Sequence, residues 1–144
     1  MISIRSARTG DAKTIAALSA TLGYPTDISA MTNRLQKIVR EPSQFAIVAE
    51  DSLQTPCGWL TAHAFDTLAS GFRVQITGLV VADTHRRQGV GRRLVAAAEQ
   101  WAQTIGAKII VVFSNVERVE SHAFYPALGY TNTKTEAVYR KSIA

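Results

Sequence analysis

Four arginines and two glycines fall within eight residues, Arg86-Arg87-Gln88-Gly89-Val90-Gly91-Arg92-Arg93. Residues of these types in this spacing suit the binding of an anion. An apolar, β-branched run precedes them (Val74, Ile76, Leu79, Val80, Val81) and reads as a strand. After them, Val90, Leu94, Ala97, Ala98, Trp101 and Ile105 recur at helical spacing. The first backbone N–H groups of such a helix have no internal partner and carry the positive end of its dipole. Gly89 and Gly91 remove the side chains that would keep a phosphate away from those groups. Arg86, Arg87, Arg92 and Arg93 add charge and bidentate donors. The segment reads as a diphosphate cradle, although an ordinary strand-to-helix connection with a solvated arginine face has the same composition. A dinucleotide fingerprint is excluded, because its third glycine and its later acidic strand end are missing. A nucleoside-triphosphate loop is excluded too, since no Gly-x-x-x-x-Gly-Lys-Ser/Thr run exists.

About 35 residues further on stands Ser121-His122-Ala123-Phe124-Tyr125-Pro126-Ala127-Leu128-Gly129-Tyr130. Taken with Arg86-x-x-Gly89-x-Gly91, this segment resembles the GNAT superfamily of N-acetyltransferases, which use acetyl-coenzyme A. The resemblance follows the element order of essentially the whole chain, and its specific residues lie between Leu79 and Tyr130. It implies that Arg86, Arg87, Gln88, Gly89, Val90, Gly91 and Arg92 hold the pyrophosphate of the cofactor. It implies further that the main chain of Leu79, Val80 and Val81 binds the pantetheine arm, where the central strand diverges from the strand at Lys108. Tyr125 would stand near the cofactor sulfur, and Ser121, one helical turn earlier, would contact the arm or orient Tyr125. Many members carry an asparagine seven residues before the tyrosine. Arg118 occupies that position here, and Asn115, ten before, is the candidate for the same contact at the strand end. Pro126 lies inside the expected helix, which should therefore be short or kinked.

The implied chemistry is attack of an amine on a thioester, with departure of a thiolate. The protein must position both reactants, accept a proton from the amine and return one to sulfur. Tyr125 is the residue for the last role. A base must overcome an amine pKa of about 10.4 at pH 7, roughly 4–5 kcal/mol at 1.36 per unit. Gln75 and Thr77, on the central strand, cannot titrate usefully, which leaves Glu50, His63, Asp66 and His122 without a choice among them. No His/Asp/Glu spacing suggests a metal, and no Gly-x-Ser-x-Gly elbow suggests a serine hydrolase. The expected activity is transfer of acetyl from acetyl-coenzyme A to a primary amine of a small molecule or peptide. The alternative is a non-catalytic acyl-coenzyme A sensor or regulatory module. By the family's geometry the amine would enter near Tyr24, Asp27, Asp66 and Tyr139.

The chain of 144 residues suits one domain, residues 1–144, with a single core. A formal charge of +5 raises a nucleic-acid reading, but the basic residues are densest at the glycine loop and are not interleaved with aromatics. Nucleic acid is therefore not an expected partner, nor is a membrane, and a homodimer is left open. Cys57 is the only cysteine, which excludes an internal disulfide and a cysteine-based metal cluster. The N-terminal residues carry no charged-then-apolar leader, and the expected location is cytoplasmic.

In chain order, Ile2–Arg5 reads as a strand. Thr9 or Asp11 caps a helix with Ile15, Leu18 and Leu22 on its apolar face, which Gly23-Tyr24-Pro25 stops. Thr26 or Asp27 starts a second helix that buries Ile28, Met31, Leu35 and Ile38. Strands follow at Phe45–Ala49, Gly58–Phe65 and about Arg73–Val81, then the long helix ending at Gly106. A strand at Lys108–Phe113, a shorter helix carrying Phe124 and Leu128, and closing strands near Tyr130-Thr131 and Val138–Arg140 complete the chain. The expected fold is mixed α/β: a mostly antiparallel sheet flanked by helices, with a splayed central strand pair.

Overall fold

Two long antiparallel strands, β3 (Pro56–Thr67) and β4 (Gly71–Val81), form the spine of the protein. In this computed structural model, which describes residues 1–21, 23–115 and 117–144, they belong to a five-stranded sheet of order β1-β2-β3-β4-β5. The other strands are β1 (Ser3–Ser6), β2 (Gln44–Glu50) and β5 (Ile110–Val112). All pairings are antiparallel except β4 with β5, which run parallel. The sheet lies within the first of two compact units, Met1–Val112, and the second unit is Phe113–Ala144.

Helices α1 (Ala12–Ala20) and α2 (Ile28–Arg40) pack on one face of the sheet. Ile15 and Leu35 meet Val48 there, with Met31, Ala46 and Trp59 at the margin. Helix α3 (Val90–Thr104) covers the other face, where Leu60, Val90, Leu94 and Val95 are almost wholly excluded from solvent. Its ring of Trp101 stacks on Phe45 of β2, centroids 4.8 Å apart. Gly58 permits the close approach of α3. A Cβ there would stand 2.9 Å from the Val80 carbonyl oxygen and within 3.3 Å of Val90 and Leu94. Loss of that fit would cost about 1–3 kcal/mol through overpacking.

Local signals place the helix ends. The carboxylate of Asp27 accepts the Ala30 N–H at 2.8 Å and caps α2. Gly106 turns left-handed (φ +88°) after α3, and its N–H and that of Ala107 bond back to Gln103 and Ala102. Asp11, in a single 3-10 turn (Thr9–Asp11), stands at the start of α1, but its side chain makes no cap bond to that helix. It accepts the Arg8 N–H at 2.7 Å and both arms of the Arg5 guanidinium at 2.9 and 2.8 Å. That guanidinium holds the Asp11 carboxyl below its usual range, against the opposing effect of burial.

Three expectations need correction or limit. Ile28, expected inside, is half exposed at the first turn of α2, whereas Leu35 is buried and Met31 and Ile38 are half-buried. Leu22 lies outside the described residues. The closing strands at Tyr130-Thr131 and Val138–Arg140 do not form: residues 130–144 carry no regular structure, and Val138 and Tyr139 are exposed. Their β-branched and aromatic residues alternate with Asn132, Lys134 and Glu136, and such alternation becomes a strand only where a neighbouring ladder takes it up. In the second unit, helix α4 (Val119–Ala127) is a short one, ending one residue after Pro126.

Candidate active site

The parallel ladder between β4 and β5 has only three rungs, Val74–Ile110, Gln75–Val111 and Ile76–Val112. Beyond Ile76, β4 continues for five residues to Val81, and among the described residues no strand pairs with that edge. Leu79, Val80 and Val81 lie on this unpaired stretch. Val80 is buried by its side chain, so what the edge offers is main-chain N–H and C=O. A bulge helps to produce the divergence. Thr61 pairs with Gly78 but Ala62 with Ile76, which makes Thr77 an extra residue on β4. The Thr77 hydroxyl lies 2.8 Å from that of Thr61, and Gly78 leaves room for the Trp59 ring, which a Cβ would meet at 2.5 Å.

The open edge leads directly into the loop before α3. Gly89 is the N-cap residue of α3, with φ +77°, and being glycine it offers no side-chain cap. The first backbone donor to bond back is Arg93, to the Gly89 carbonyl at 3.1 Å. The N–H groups of Val90, Gly91 and Arg92 therefore have no acceptor within the helix. No acidic side chain stands in the first turn to meet them. A Cβ built on Gly89 would contact no protein atom within 4 Å, so backbone conformation, not crowding, demands glycine there. The space in front of the helix start is open to a ligand. These observations fit a diphosphate: unpaired donors, a positive dipole end and clear access.

The basic side chains divide their work. Arg86 pairs with Asp83 at 3.0 Å, on the surface. Arg87, Gln88 and Arg92 are exposed, and Arg87 holds a left-handed conformation (φ +65°). Arg93 turns away from the loop and donates to the Ile2 carbonyl, so it ties α3 to the N-terminal residues and is not part of the cradle.

Two residues outside the sequence reading hold this loop. His85 Nε2 lies 3.1 Å from Asp51 Oδ2, and Asp51 is the first residue of the β2–β3 turn. The other oxygen of Asp51 accepts the N–H groups of Leu53 and Thr55. Thr55 N–H is the leading cause that keeps the Asp51 carboxyl below its ordinary value, with His85 and Leu53 adding to it. A separation of 34 residues gives no sequence signal for the pair.

In the second unit, Tyr125 is half-buried on α4, its ring edge-on to Phe124 (4.9 Å) and to Tyr130 (5.8 Å). Burial raises its pKa above the usual phenol value, opposed in part by the positive charge of Arg118. Ser121, four residues earlier, is half-buried on the same face. Asn115 is exposed, and its side-chain oxygen accepts the Glu117 N–H at 2.9 Å, which shapes the turn before α4.

Among the base candidates, Glu50 is paired with Arg5 at 3.1 Å. Asp66 and His122 are exposed. His63 is half-buried on β3 opposite Gln75, with Gln44 3.4 Å from its Nδ1 and the Phe65 ring stacked on it. Cys57 is fully buried, and burial pushes its thiol pKa up, so it is inert packing. No helix among the described residues is long and apolar enough to cross a membrane.

Comparison with known proteins agrees with this arrangement. The model of the acetyltransferase (GNAT) family matches residues 13–130, from α1 to the residue after Gly129. An aminoglycoside N(6')-acetyltransferase type 1 of Acinetobacter genomosp. 13 is 23% identical over 83% of this chain and 85% of its own. The enzyme of the same name from Serratia marcescens is 29% identical over 68 residues, and the aligned part spans 47% of each chain, about half of that relative's length. The crystal structure of an aminoglycoside 6'-N-acetyltransferase from Acinetobacter baumannii superimposes with a TM-score of 0.87 at 20% identity, over 100% of both chains, and so shares the fold. With a family match across most of its length, an open β4 edge and an uncapped helix start in sequence, the chain belongs to the GNAT family of acetyltransferases.

Proposed function

We propose that this acetyl-coenzyme A-dependent N-acetyltransferase acetylates a primary amine of a small amino sugar of the aminoglycoside class. The observation that carries the reading is the unpaired edge of β4 running into the uncapped N-terminus of α3. The names of its relatives support the acceptor class. We take residues 1–144 as one catalytic domain, since the family match continues across both compact units.

Bound acetyl-coenzyme A supplies the acetyl group as a thioester. The N–H groups of Val90, Gly91 and Arg92, with Arg86, Arg87 and Gln88, hold its diphosphate. The main chain of Leu79, Val80 and Val81 takes up the pantetheine arm, as an added strand would. Asn115 and Ser121 are assigned to the same arm by their place in the motif. Tyr125 returns a proton to the departing sulfur, a role open to a phenol because it is protonated at neutral pH. His63 takes the proton of the amine, directly or through a water. It stands on β3 opposite Gln75, one rung before β4 parts from β5, on the sheet face that carries the Thr61–Thr77 pair. As the side chains lie, the Gln44 amide nitrogen stands 3.4 Å from His63 Nδ1, and the base role requires that amide with its oxygen turned to Nδ1–H.

The test is release of the coenzyme A thiol from acetyl-coenzyme A against a panel of aminoglycosides, linear polyamines and peptides. Turnover with aminoglycosides and not with the others is expected. Turnover confined to peptides or polyamines overturns the acceptor, and no turnover with any amine overturns the activity.

A further inference from the structure

We propose that Asp51 is a positioning residue for the diphosphate of the donor, acting through His85 on the loop between β4 and α3. The proposal rests on the coenzyme A reading of that loop and assigns a device that builds it. The loop leaves β4 with the Ala82 N–H bonded to the Cys57 carbonyl at 2.8 Å, so its first residue is still held by β3. A single 3-10 turn (Asp83–His85) follows, closed by the His85 N–H on the Ala82 carbonyl at 2.9 Å. From there to the first turn of α3 the chain must pass Arg87, whose φ of +65° is a left-handed conformation that strains an L-residue. A strained residue of this kind persists only where the flanking structure over-determines it.

Gly89 and the helix provide the restraint on one side, and His85 provides it on the other. Its ring is clamped at both nitrogens: Nδ1 lies 2.7 Å from the Thr84 hydroxyl and Nε2 3.1 Å from Asp51. Asp51 cannot yield, because its second oxygen accepts two backbone N–H groups of its own turn, Leu53 at 2.9 Å and Thr55 at 3.0 Å. The main chain of Asp51 is closed on Thr55 as well, by a bond of 3.0 Å. A rigid hairpin end thus fixes the His85 side chain, one residue before Arg86. Neither Asp51 nor His85 needs to touch the donor for this. Their contribution is a loop already in the shape that presents the Val90, Gly91 and Arg92 donors, so that binding does not have to order it.

The experiment compares wild type, Asp51→Ala, His85→Ala and the double variant with two donors. One is acetyl-coenzyme A; the other is S-acetylpantetheine, which has the same thioester and arm but no diphosphate. Each single variant should raise the KM and Kd for acetyl-coenzyme A at least tenfold, with kcat changed less than twofold. Neither should alter kcat/KM for S-acetylpantetheine by more than twofold. The double variant should be no worse than either single one, as two residues of one device require. Thermal melts identify a variant that fails to fold. Should Asp51→Ala do so by losing its turn, His85→Ala, which keeps that turn intact, carries the test alone. Equal losses with both donors, or additive losses in the double variant, overturn the proposal. Absence of acetyl-coenzyme A binding by the wild type would instead overturn the coenzyme A reading.

Discussion

Tyr130 bonds and packs onto Tyr125 at the same time. Its N–H donates to the Tyr125 carbonyl at 3.1 Å, and its ring meets the Tyr125 ring edge-on at 5.8 Å. Gly129 between them is left-handed (φ +93°), and its N–H bonds to the Pro126 carbonyl at 3.0 Å. Together these make a complete Schellman ending of α4, including the apolar contact between the residue after the glycine and the third residue from the helix end. The Leu-Gly-Tyr signature therefore has a local physical meaning: it fixes the ring assigned to catalysis. Gly129→Ala should cost about 1–2 kcal/mol, the penalty of a left-handed L-residue. It should also lower kcat, because the Tyr125 ring loses its backstop. Chemical denaturation and steady-state rates on one preparation check both, and an unchanged denaturation midpoint would contradict the cap.

Tyr125→Phe should keep acetyl-coenzyme A affinity and lose turnover by about 10²–10⁴-fold. The ring contacts with Phe124 and Tyr130 survive the change, so the fold should be little affected. The raised pKa has a further consequence. Deprotonation of Tyr125 should depress kcat only in and above the ordinary phenol range, so an alkaline limb near neutral pH points to another group. Calorimetric titration with the donor, alongside kcat against pH, tests the assignment.

Gly89→Ala should weaken acetyl-coenzyme A binding tenfold or more. Two effects combine: about 1–2 kcal/mol of left-handed strain, and a methyl group set in the open space before the α3 donors. No protein atom lies within 4 Å of that methyl position, so a steric clash inside the protein is not an available explanation. Titration of the folded variant with acetyl-coenzyme A is the measurement, and near-normal affinity would place the diphosphate elsewhere.

His63→Ala should lower kcat/KM for ordinary primary amines by about 10²-fold at neutral pH, the usual value of general-base help. An acceptor already uncharged at pH 7, such as a hydrazine, needs no deprotonation before attack and should lose less. A similar loss with both kinds of acceptor would reduce His63 to a packing role.

Asp11 should make the protein acid-sensitive. Its folded pKa is depressed, chiefly by the Arg5 guanidinium, so its contribution is present above the ordinary carboxylate value and disappears as pH falls through the folded value. Asp11→Asn should therefore cost about 1–3 kcal/mol at pH 7. The gap to wild type should narrow between pH 7 and acid below the ordinary carboxylate range, as the wild-type carboxyl takes up its proton. Urea midpoints at both pH values decide it.

What sequence alone determined is whatever depends on neighbours along the chain. The glycine loop and the helix start after it are contiguous, so residue types at Arg86–Arg92 were enough to propose an anion site. The α4 ending around Gly129 is equally local, as are the Asp27 cap and the Gly106 stop. Strand register belongs to another class, because each rung joins residues far apart and is set by the packing of the whole sheet. Only the folded sheet shows that the β4–β5 ladder ends at Ile76–Val112, leaving Leu79–Val81 an unpaired edge. Register also brings Thr77 to Thr61, sets His63 opposite Gln75 and lays Asp51 against His85. The same reason explains the failed closing strands: Val138 and Tyr139 have strand-forming side chains, but propensity cannot supply the ladder that would accept them.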